Sequence, residues 1–372
     1  MARWDFVVVG GGIAGVSLAA ELAPHGRTLV LEQESALGYH ATGRSAAVVA
    51  LFYGAPPVRA LTQASLPTLL EAEVDGHRLA HRKGMLMVEL PGQDGALDAF
   101  LQDPARRGQA CEVKPEEALE RVPILRRDAV VRACWEPDLW ALDADGLLQG
   151  YRRRARAAGA EFRLNAEVSA LARTGEHWQV TAGGVTELTD TVVNAAGAWA
   201  DTIATRAGLQ PLALQPKRRT ALTVPAPAGH DVRGWPAVID MGETRYFKPD
   251  AGALMLSLAD ETDSPPCDAW AEDEDVATAV DRVQQMADLP VERLIATWAG
   301  LRTFAPDRVP VVGWANDAER FLWLAGQGGY GLQTAPAMAQ LAAATVLGTP
   351  LPRALVEAGV DAAQFSPARF RP

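Results

Sequence analysis

The sequence predicts an α/β fold divided over more than one domain, on three observations. A strand, a glycine-rich turn, a helix and a second strand follow one another at the start of the chain. A similar strand, glycine turn and helix recur near its end. The length of 372 residues exceeds what one small core accommodates, so two domains are the natural expectation.

Phe6-Val7-Val8-Val9 is a continuous apolar run, suited to a parallel strand buried on both faces. Gly10, Gly12 and Gly15 follow in GxGxxG spacing, and Ile13 to Leu22 reads as a helix ending near Pro24-His25-Gly26. Thr28 to Leu31 is the next strand, and it ends in Glu32. Gly10 permits the tight turn, and Gly12 lets backbone amides reach a diphosphate beside Ile13 and Ala14. Gly15 lets helix and strand pack closely, and the helix N-terminus turns its positive end toward the anion. Glu32, followed by Gln33, stands where a carboxylate can accept hydrogen bonds from both ribose hydroxyls and would repel a 2′-phosphate. Together these make a Rossmann-type βαβ unit for a dinucleotide. GxGxxG alone is weak, but strand, helix, second strand and acid in order leave a ligand-free glycine turn as a poor fit.

This unit leaves FAD and NAD open, and three later segments bear on the choice. Gly38 to Ala47 (GYHATGRSAA) is small and polar, suited to pressing backbone against a flat ligand through Thr42, Gly43, Arg44, Ser45, Ala46 and Ala47. Asp190 to Gly197 reads as a buried strand ending in Ala196 and Gly197, with Trp199 just beyond. Phe321 to Ala325 runs into Gly326-Gln327-Gly328-Gly329-Tyr330-Gly331, then Leu332 and Gln333, before a helix expected over Thr334 to Leu347. That second device can aim amides and a helix dipole at an anionic ligand edge.

Composition narrows the partners. The chain is 48% hydrophobic and 22% charged, with a net charge of −11, which argues against nucleic acid and for a solvated acidic surface. Cys111, Cys134 and Cys267 lie far apart, which excludes a disulfide framework or a cysteine zinc site and fits a reducing cytosol. Met1 to Asp5 leads straight into a strand without a cleavage site, and Val7 to Ala20 is too short and too glycine-broken to span a bilayer. A cytoplasmic protein without an integral membrane segment is expected, peripheral membrane association being left open. His77 and His81, four apart, would make a metal pair on a helix, but no third ligand is evident, and no metal is expected. The basic run Arg152 to Arg156 reads as the solvated end of a helix over Gly146 to Ala158, and the acidic Asp260 to Asp275 reads as an exposed loop. The absence of a GxSxG elbow or P-loop disfavours hydrolase and kinase chemistry.

The fingerprint, the TGRSAA stretch, the NAAGAW strand and the GQGGYG turn together resemble the D-amino-acid oxidase-like flavoprotein superfamily. The resemblance spans nearly the whole chain. It is nearest to the bacterial FAD-dependent D-arginine dehydrogenases through GYHATGRSAA (38–47), LQPKRR (214–219), KPDAG (248–252), TWAGLR (297–302) and QGGYG (327–331). It implies FAD as cofactor and a Rossmann-type FAD-binding domain (1–80, 143–211 and 320–372). A smaller α+β substrate domain on a mixed, largely antiparallel sheet (81–142 and 212–319) would interleave with it. Val168 would lie near the adenine, and Gly300 would also contact the cofactor. No cysteine follows Cys267, so the FAD is expected to be non-covalent.

The same resemblance implies a D-amino-acid dehydrogenase that oxidises the Cα–N bond, the imino product hydrolysing to a 2-oxo acid and ammonia, with a quinone or other electron acceptor. Arg302 and Arg219 match carboxylate-binding arginines, with Arg218 able to exchange roles with Arg219. Tyr53 and Tyr246 match pocket tyrosines, Gly329 offers a carbonyl to the amine, and Gln333 lies near the flavin end. Where the D-arginine enzymes carry a glutamate, histidine and threonine, this chain has Gly84, Val48 and Ala50, with Glu89 the nearest substitute acid. Losing an acid removes the attraction for a basic substrate, so apolar or aromatic D-amino acids are expected. The alternatives are an oxygen-using glycine, sarcosine or D-amino-acid oxidase, or a non-catalytic flavin-binding protein.

Overall fold

The computed structural model describes residues 2–103 and 109–370. Its first sheet grows from the N-terminal unit: β1 (Arg3–Val9), α1 (Ile13–Leu22) and β2 (Thr28–Leu31). β1 and β2 run parallel, and β1 also pairs in parallel with the Val185–Asn194 strand, which in turn pairs with Phe321–Ala325. Burial on both faces explains the unbroken apolar strands. Val8 and Val30 share a core with α1 and the Gly331–Leu347 helix, while Val7, Val9, Leu29 and Leu31 enter the opposite core.

The glycines of the first turn are sterically required. Gly10 sits at φ +113°, and a Cβ there would lie 2.3 Å from the Ala195 carbonyl oxygen. A Cβ on Gly15 would lie 2.0 Å from the Gly10 carbonyl oxygen, so α1 reaches the strand only because that atom is missing.

The second sheet is mixed and largely antiparallel. Its central strands run in the order Ala296–Phe304, Gln215–Val224, Ala253–Ser257, Tyr246–Asp250, Ala237–Asp240, Met85–Glu89, Arg132–Glu136. Only Ala237–Asp240 and Met85–Glu89 pair in parallel along this path. Leu86, Val88, Leu222, Val224 and Phe247 pack on one face with Ala279 and Val283 of the Asp273–Gln284 helix. The opposite face carries Arg219 and Tyr246 into the cleft described below.

Several local expectations change. Val311–Trp314 falls inside the stretch expected for the substrate domain, yet it hydrogen-bonds to Phe321–Ala325 in the first sheet. His77 and His81 are both exposed, and they lie on two short strands, His77–Arg78 and Ala80–Arg82, instead of one helix, because Asp75 and Gly76 turn the chain into a hairpin. Among the described residues no group of three metal-ligating side chains forms. The Gly331–Leu347 helix begins three residues before the expected Thr334, because the glycine turn itself makes its first turn. The Ala144–Ala157 helix is capped by Asp143, which accepts from the Gly146 amide at 2.8 Å, and its Arg154 pairs with Glu21. Among the described residues no helix is long and apolar enough to cross a membrane.

Candidate active site

A continuous cleft runs from the end of β2, across the N-terminus of α1, to the Arg302 end of the second sheet. At the first end Glu32 is buried, and one carboxylate oxygen accepts from the Gly11 amide at 2.7 Å while the other accepts from Glu34 at 2.9 Å. These bonds fix its direction and leave lone-pair capacity for two hydroxyl donors. Burial raises the Glu32 pKa above the ordinary carboxylate value despite both hydrogen bonds. Gln33 and Val168 line the cleft beside it, joined by Ala166 and Glu167, which no sequence motif singled out.

Gly10, Gly12, Ile13 and Ala14 line the middle of the cleft, with Gly15 packed behind them. Thr42 fastens the TGRSAA segment to the helix start by accepting from the Ile13 amide at 3.0 Å. Gly43 closes the turn behind, donating to the Gly38 carbonyl at 2.8 Å. Ser45 and Ala46 line the cleft, whereas Ala47 lines only a second depression, beside Lys83 and Lys248. Ala196, Gly197 and Trp199 line the cleft as well, the Trp199 ring lying 4.5 Å from that of His40.

Arg44 ties down the acidic loop. Its guanidinium donates to the Ala269 carbonyl at 2.6 Å and the Ala299 carbonyl at 3.1 Å, and it pairs with Asp268. The loop is thereby drawn over the cleft, and Cys267 and Ala269 become lining residues. Asp260 is tied down too, accepting from the Thr220 amide at 2.7 Å, while its carbonyl accepts from Arg219 Nε at 2.7 Å. The exposure that the charge pattern implies holds for Asp263, Asp268, Asp273 and Glu274, while pairing with a residue as distant in sequence as Arg44 holds the loop against the cleft.

At the far end the second sheet supplies two guanidinium groups. Arg219 lies opposite Gly300 and Lys217 opposite Arg302, so cross-strand pairing puts Arg219 and Arg302 on one face. Arg218 falls on the other face, where it pairs with Glu272 at 2.9 Å and Asp275 at 2.7 Å. Arg219 therefore lines the cleft and Arg218 does not. Burial, and then the charge of Arg302, hold the Arg219 guanidinium below its ordinary pKa. Its carboxylate neighbour Glu261, at 3.5 Å, is shared with Arg308 at 2.9 Å.

Arg302 donates to the Tyr53 hydroxyl at 3.1 Å, and among the described residues no carboxylate lies within ion-pair distance of it. Gly329 packs against the same guanidinium; a Cβ there would lie 3.0 Å from Nη1, so glycine is what lets the turn approach. Tyr53 meets Tyr330 edge-on at 5.1 Å, which leaves Tyr330 buried behind the cleft. Tyr246 lines the cleft, and its buried hydroxyl has no hydrogen-bond partner among the described residues. Gly300, Gly328, Gly331 and Leu332 complete this end. Gln333 is fully engaged elsewhere, donating to Thr62 at 2.8 Å and accepting from the Ala50 amide at 3.2 Å.

The expected specificity positions do not gather as a group. Val48 and Ala50 lie on a three-residue strand paired with Leu139–Leu142, outside the lining of the cleft. Gly84 has φ +74°, and a Cβ there would lie 2.1 Å from the Trp135 ring, on the face that carries Leu86 and Val88. A side chain at position 84 would enter that packed face, so the glycine serves the fold and the missing acid carries no argument about substrate charge. Glu89 is no substitute either, being occupied by Arg132 at 3.7 Å and the Leu97 amide at 3.3 Å. Sequence reasoning missed Ala221, Met255, Leu301 and Thr303, which line the cleft from adjoining strands and carry no motif of their own.

These residues fit FAD. An oriented carboxylate suits the adenosine ribose, crowded glycines at a helix N-terminus suit the diphosphate, and the buried Tyr246 and Thr303 hydroxyls at the far end stand without partners. The chain matches the FAD dependent oxidoreductase family over residues 5–345. It is 28% identical to the glycine oxidase of Pseudomonas aeruginosa over 376 residues, covering 97% of this chain and 98% of that protein. It is 25% identical to human mitochondrial dimethylglycine dehydrogenase over 356 residues, covering 89% of this chain but only 41% of that longer protein. Among solved structures, glycine oxidase from Geobacillus kaustophilus superposes with a TM-score of 0.86 at 24% identity, covering 100% of both chains.

Proposed function

Because this chain belongs to the family of FAD-dependent oxidoreductases, we propose that it oxidises the Cα–N bond of an amino acid with an apolar or aromatic side chain, of the D series. The observation that carries this reading is Arg302, a half-buried guanidinium without a carboxylate partner among the described residues, beside Arg219 and the unpartnered Tyr246 hydroxyl. A partly desolvated charge without a counter-ion favours an incoming anion, and the arginine fork matches a carboxylate. FAD, when bound, supplies the hydride acceptor. Arg302 and Arg219 bind the substrate carboxylate, Tyr53 and Tyr246 hydrogen-bond the bound molecule, and the Gly329 carbonyl accepts from the amine. Held this way the substrate reacts as a positioned group, and no side-chain nucleophile is needed. The imine then hydrolyses in water to the 2-oxo acid and ammonia. The FAD is held non-covalently, and a quinone is the expected acceptor.

The preference for apolar side chains rests on the sheet face next to the arginines. Tyr246 lies opposite Ile239, and Ile239 opposite Met87; Thr223 lies opposite Met255. Of the apolar residues here only Met255, with Ala221, lines the cleft beside Arg219, whereas Ile239 and Met87 pack with Leu97 and Phe100; the Ala221 and Met255 surface favours an apolar side chain, at about 25 cal/mol per Å2 buried. Likeness to the D-arginine dehydrogenases thus extends to the carboxylate clamp and not to the basic side chain. The discriminating experiment is an anaerobic flavin-reduction screen over D- and L-amino acids. D-Leucine, D-methionine and D-phenylalanine should bleach the flavin faster than D-arginine or D-lysine, and the reverse order rejects the apolar reading.

Similarity to glycine oxidases across nearly the whole chain favours a second reading, in which oxygen takes the electrons and glycine or sarcosine is the substrate. Rapid peroxide formation in air, with glycine reducing the flavin fastest, would establish that reading instead.

A further inference from the structure

Thr303 follows Arg302 on the Ala296–Phe304 strand, opposite Gly328 of the glycine turn. Consecutive residues of a strand turn to opposite sides, so Thr303 does not join Arg302 on the arginine face. It lines the cleft, is only 4% exposed, and its hydroxyl has no hydrogen-bond partner among the described residues. Its strand neighbours offer no substitute: Pro216, across the strand, lacks an N–H, and Gly328 has no side chain. A buried hydroxyl left unpaired is destabilising, and native proteins rarely keep one unless something completes it.

We propose that Thr303 binds the cofactor: its hydroxyl hydrogen-bonds a polar atom at the flavin end of FAD. The location supports that end, since Thr303 adjoins Arg302 and Gly328, whereas Glu32, Gln33 and Val168 line the adenosine end. Two adjacent residues of one strand then serve two ligands, Arg302 the substrate and Thr303 the cofactor. The inference rests on FAD occupying the cleft and is independent of which amino acid is oxidised.

The test compares Thr303→Val, which keeps the shape and removes the hydroxyl, with Thr303→Ser, which keeps the hydroxyl. Diluted holoenzyme of the valine variant should release FAD, followed by flavin fluorescence, about five- to tenfold faster than the wild type. The serine variant should stay within about twofold of the wild type, one hydrogen bond being retained. After FAD is stripped, the valine variant should melt at or above the wild-type temperature, because the unpaired hydroxyl is gone. Unchanged FAD release in the valine variant overturns the proposal. So does a serine variant that releases FAD as fast as the valine one, or a valine apoprotein destabilised as much as its holoenzyme, the result expected if an internal water satisfies the hydroxyl. None of these outcomes depends on the substrate screen, so failure here is distinguishable from failure of the proposed reaction.

Discussion

The two ends of the cleft satisfy their polar groups differently. At the adenosine end the protein completes itself: both Glu32 oxygens hold backbone amides, Thr42 holds Ile13, and the glycines pack to within contact of neighbouring carbonyls. At the substrate end the groups are held in place but left incomplete. Arg302 has a tyrosine and no carboxylate, and the Tyr246 and Thr303 hydroxyls have no partner among the described residues. Folding alone orients the polar groups of the first end, while the second keeps hydroxyls without a partner among the described residues. Substitutions should divide accordingly, with losses of folding and cofactor at the first end, and at the second losses of turnover at Arg302 and of cofactor at Thr303.

The strongest challenge to this contrast is Gly15→Ala. The new Cβ would fall 2.0 Å from a backbone oxygen that cannot move without breaking the first turn. A destabilisation of about 4 kcal/mol or more is expected, seen as loss of flavin absorbance per chain and of the cooperative melt. A variant that stays folded and yellow would show the adenosine end to be more yielding than its packing implies.

Arg302→Met should be smaller in stability and large in turnover. The flavin content should be kept while kcat/KM falls by about 100- to 1,000-fold, the range for removing one side of a buried charge contact. Arg218→Met sharpens the comparison, because Arg218 pairs with Glu272 and Asp275 on the opposite face. That variant should lower Tm by about 1 °C, roughly 1 kcal/mol, with KM unchanged. Equal kinetic damage from both substitutions would contradict the assignment of faces.

The smallest expected effect is a pH dependence at the adenosine end. Burial raises the Glu32 pKa, so in the FAD-free protein this carboxyl takes up a proton at a higher pH than an exposed glutamate does. Only the ionised form offers both oxygens as acceptors to ribose hydroxyls, so FAD binding should release a proton. The linkage has a definite sign: FAD affinity falls as pH drops through the raised pKa and levels off above it. Glu32→Gln should bind FAD about fivefold more weakly at neutral pH and lose this dependence, measured by titrating apoprotein at several pH values. A wild-type affinity that rises on acidification would assign the opposite role to the carboxyl.

The adenosine end was legible because its determinants are close in sequence. Gly10, Gly15 and Glu32 lie within one βαβ unit, and strand period, glycine spacing and helix length act over a few residues. The largely antiparallel second sheet was expected, as were Arg219, Arg302 and Tyr246 in the cleft. The acidic loop is exposed at Asp263, Asp268, Asp273 and Glu274, as its charge pattern implies, but that Arg44 and Arg218 tie it down was not legible, because no local pattern announces such pairs. Gly84 was misread for a related reason: its meaning depends on Trp135, a residue of the neighbouring strand.

The sequence by itself thus determined the nucleotide unit, the class of cofactor and the presence of an arginine pair, all properties of short-range pattern. Tertiary structure alone decided which arginine meets the cleft, which hydroxyls stay unpartnered, and why position 84 must be glycine. The physical reason is strand geometry. Successive side chains alternate between faces, so the pairing register between strands distant in sequence decides whether Arg218 or Arg219 points into the site.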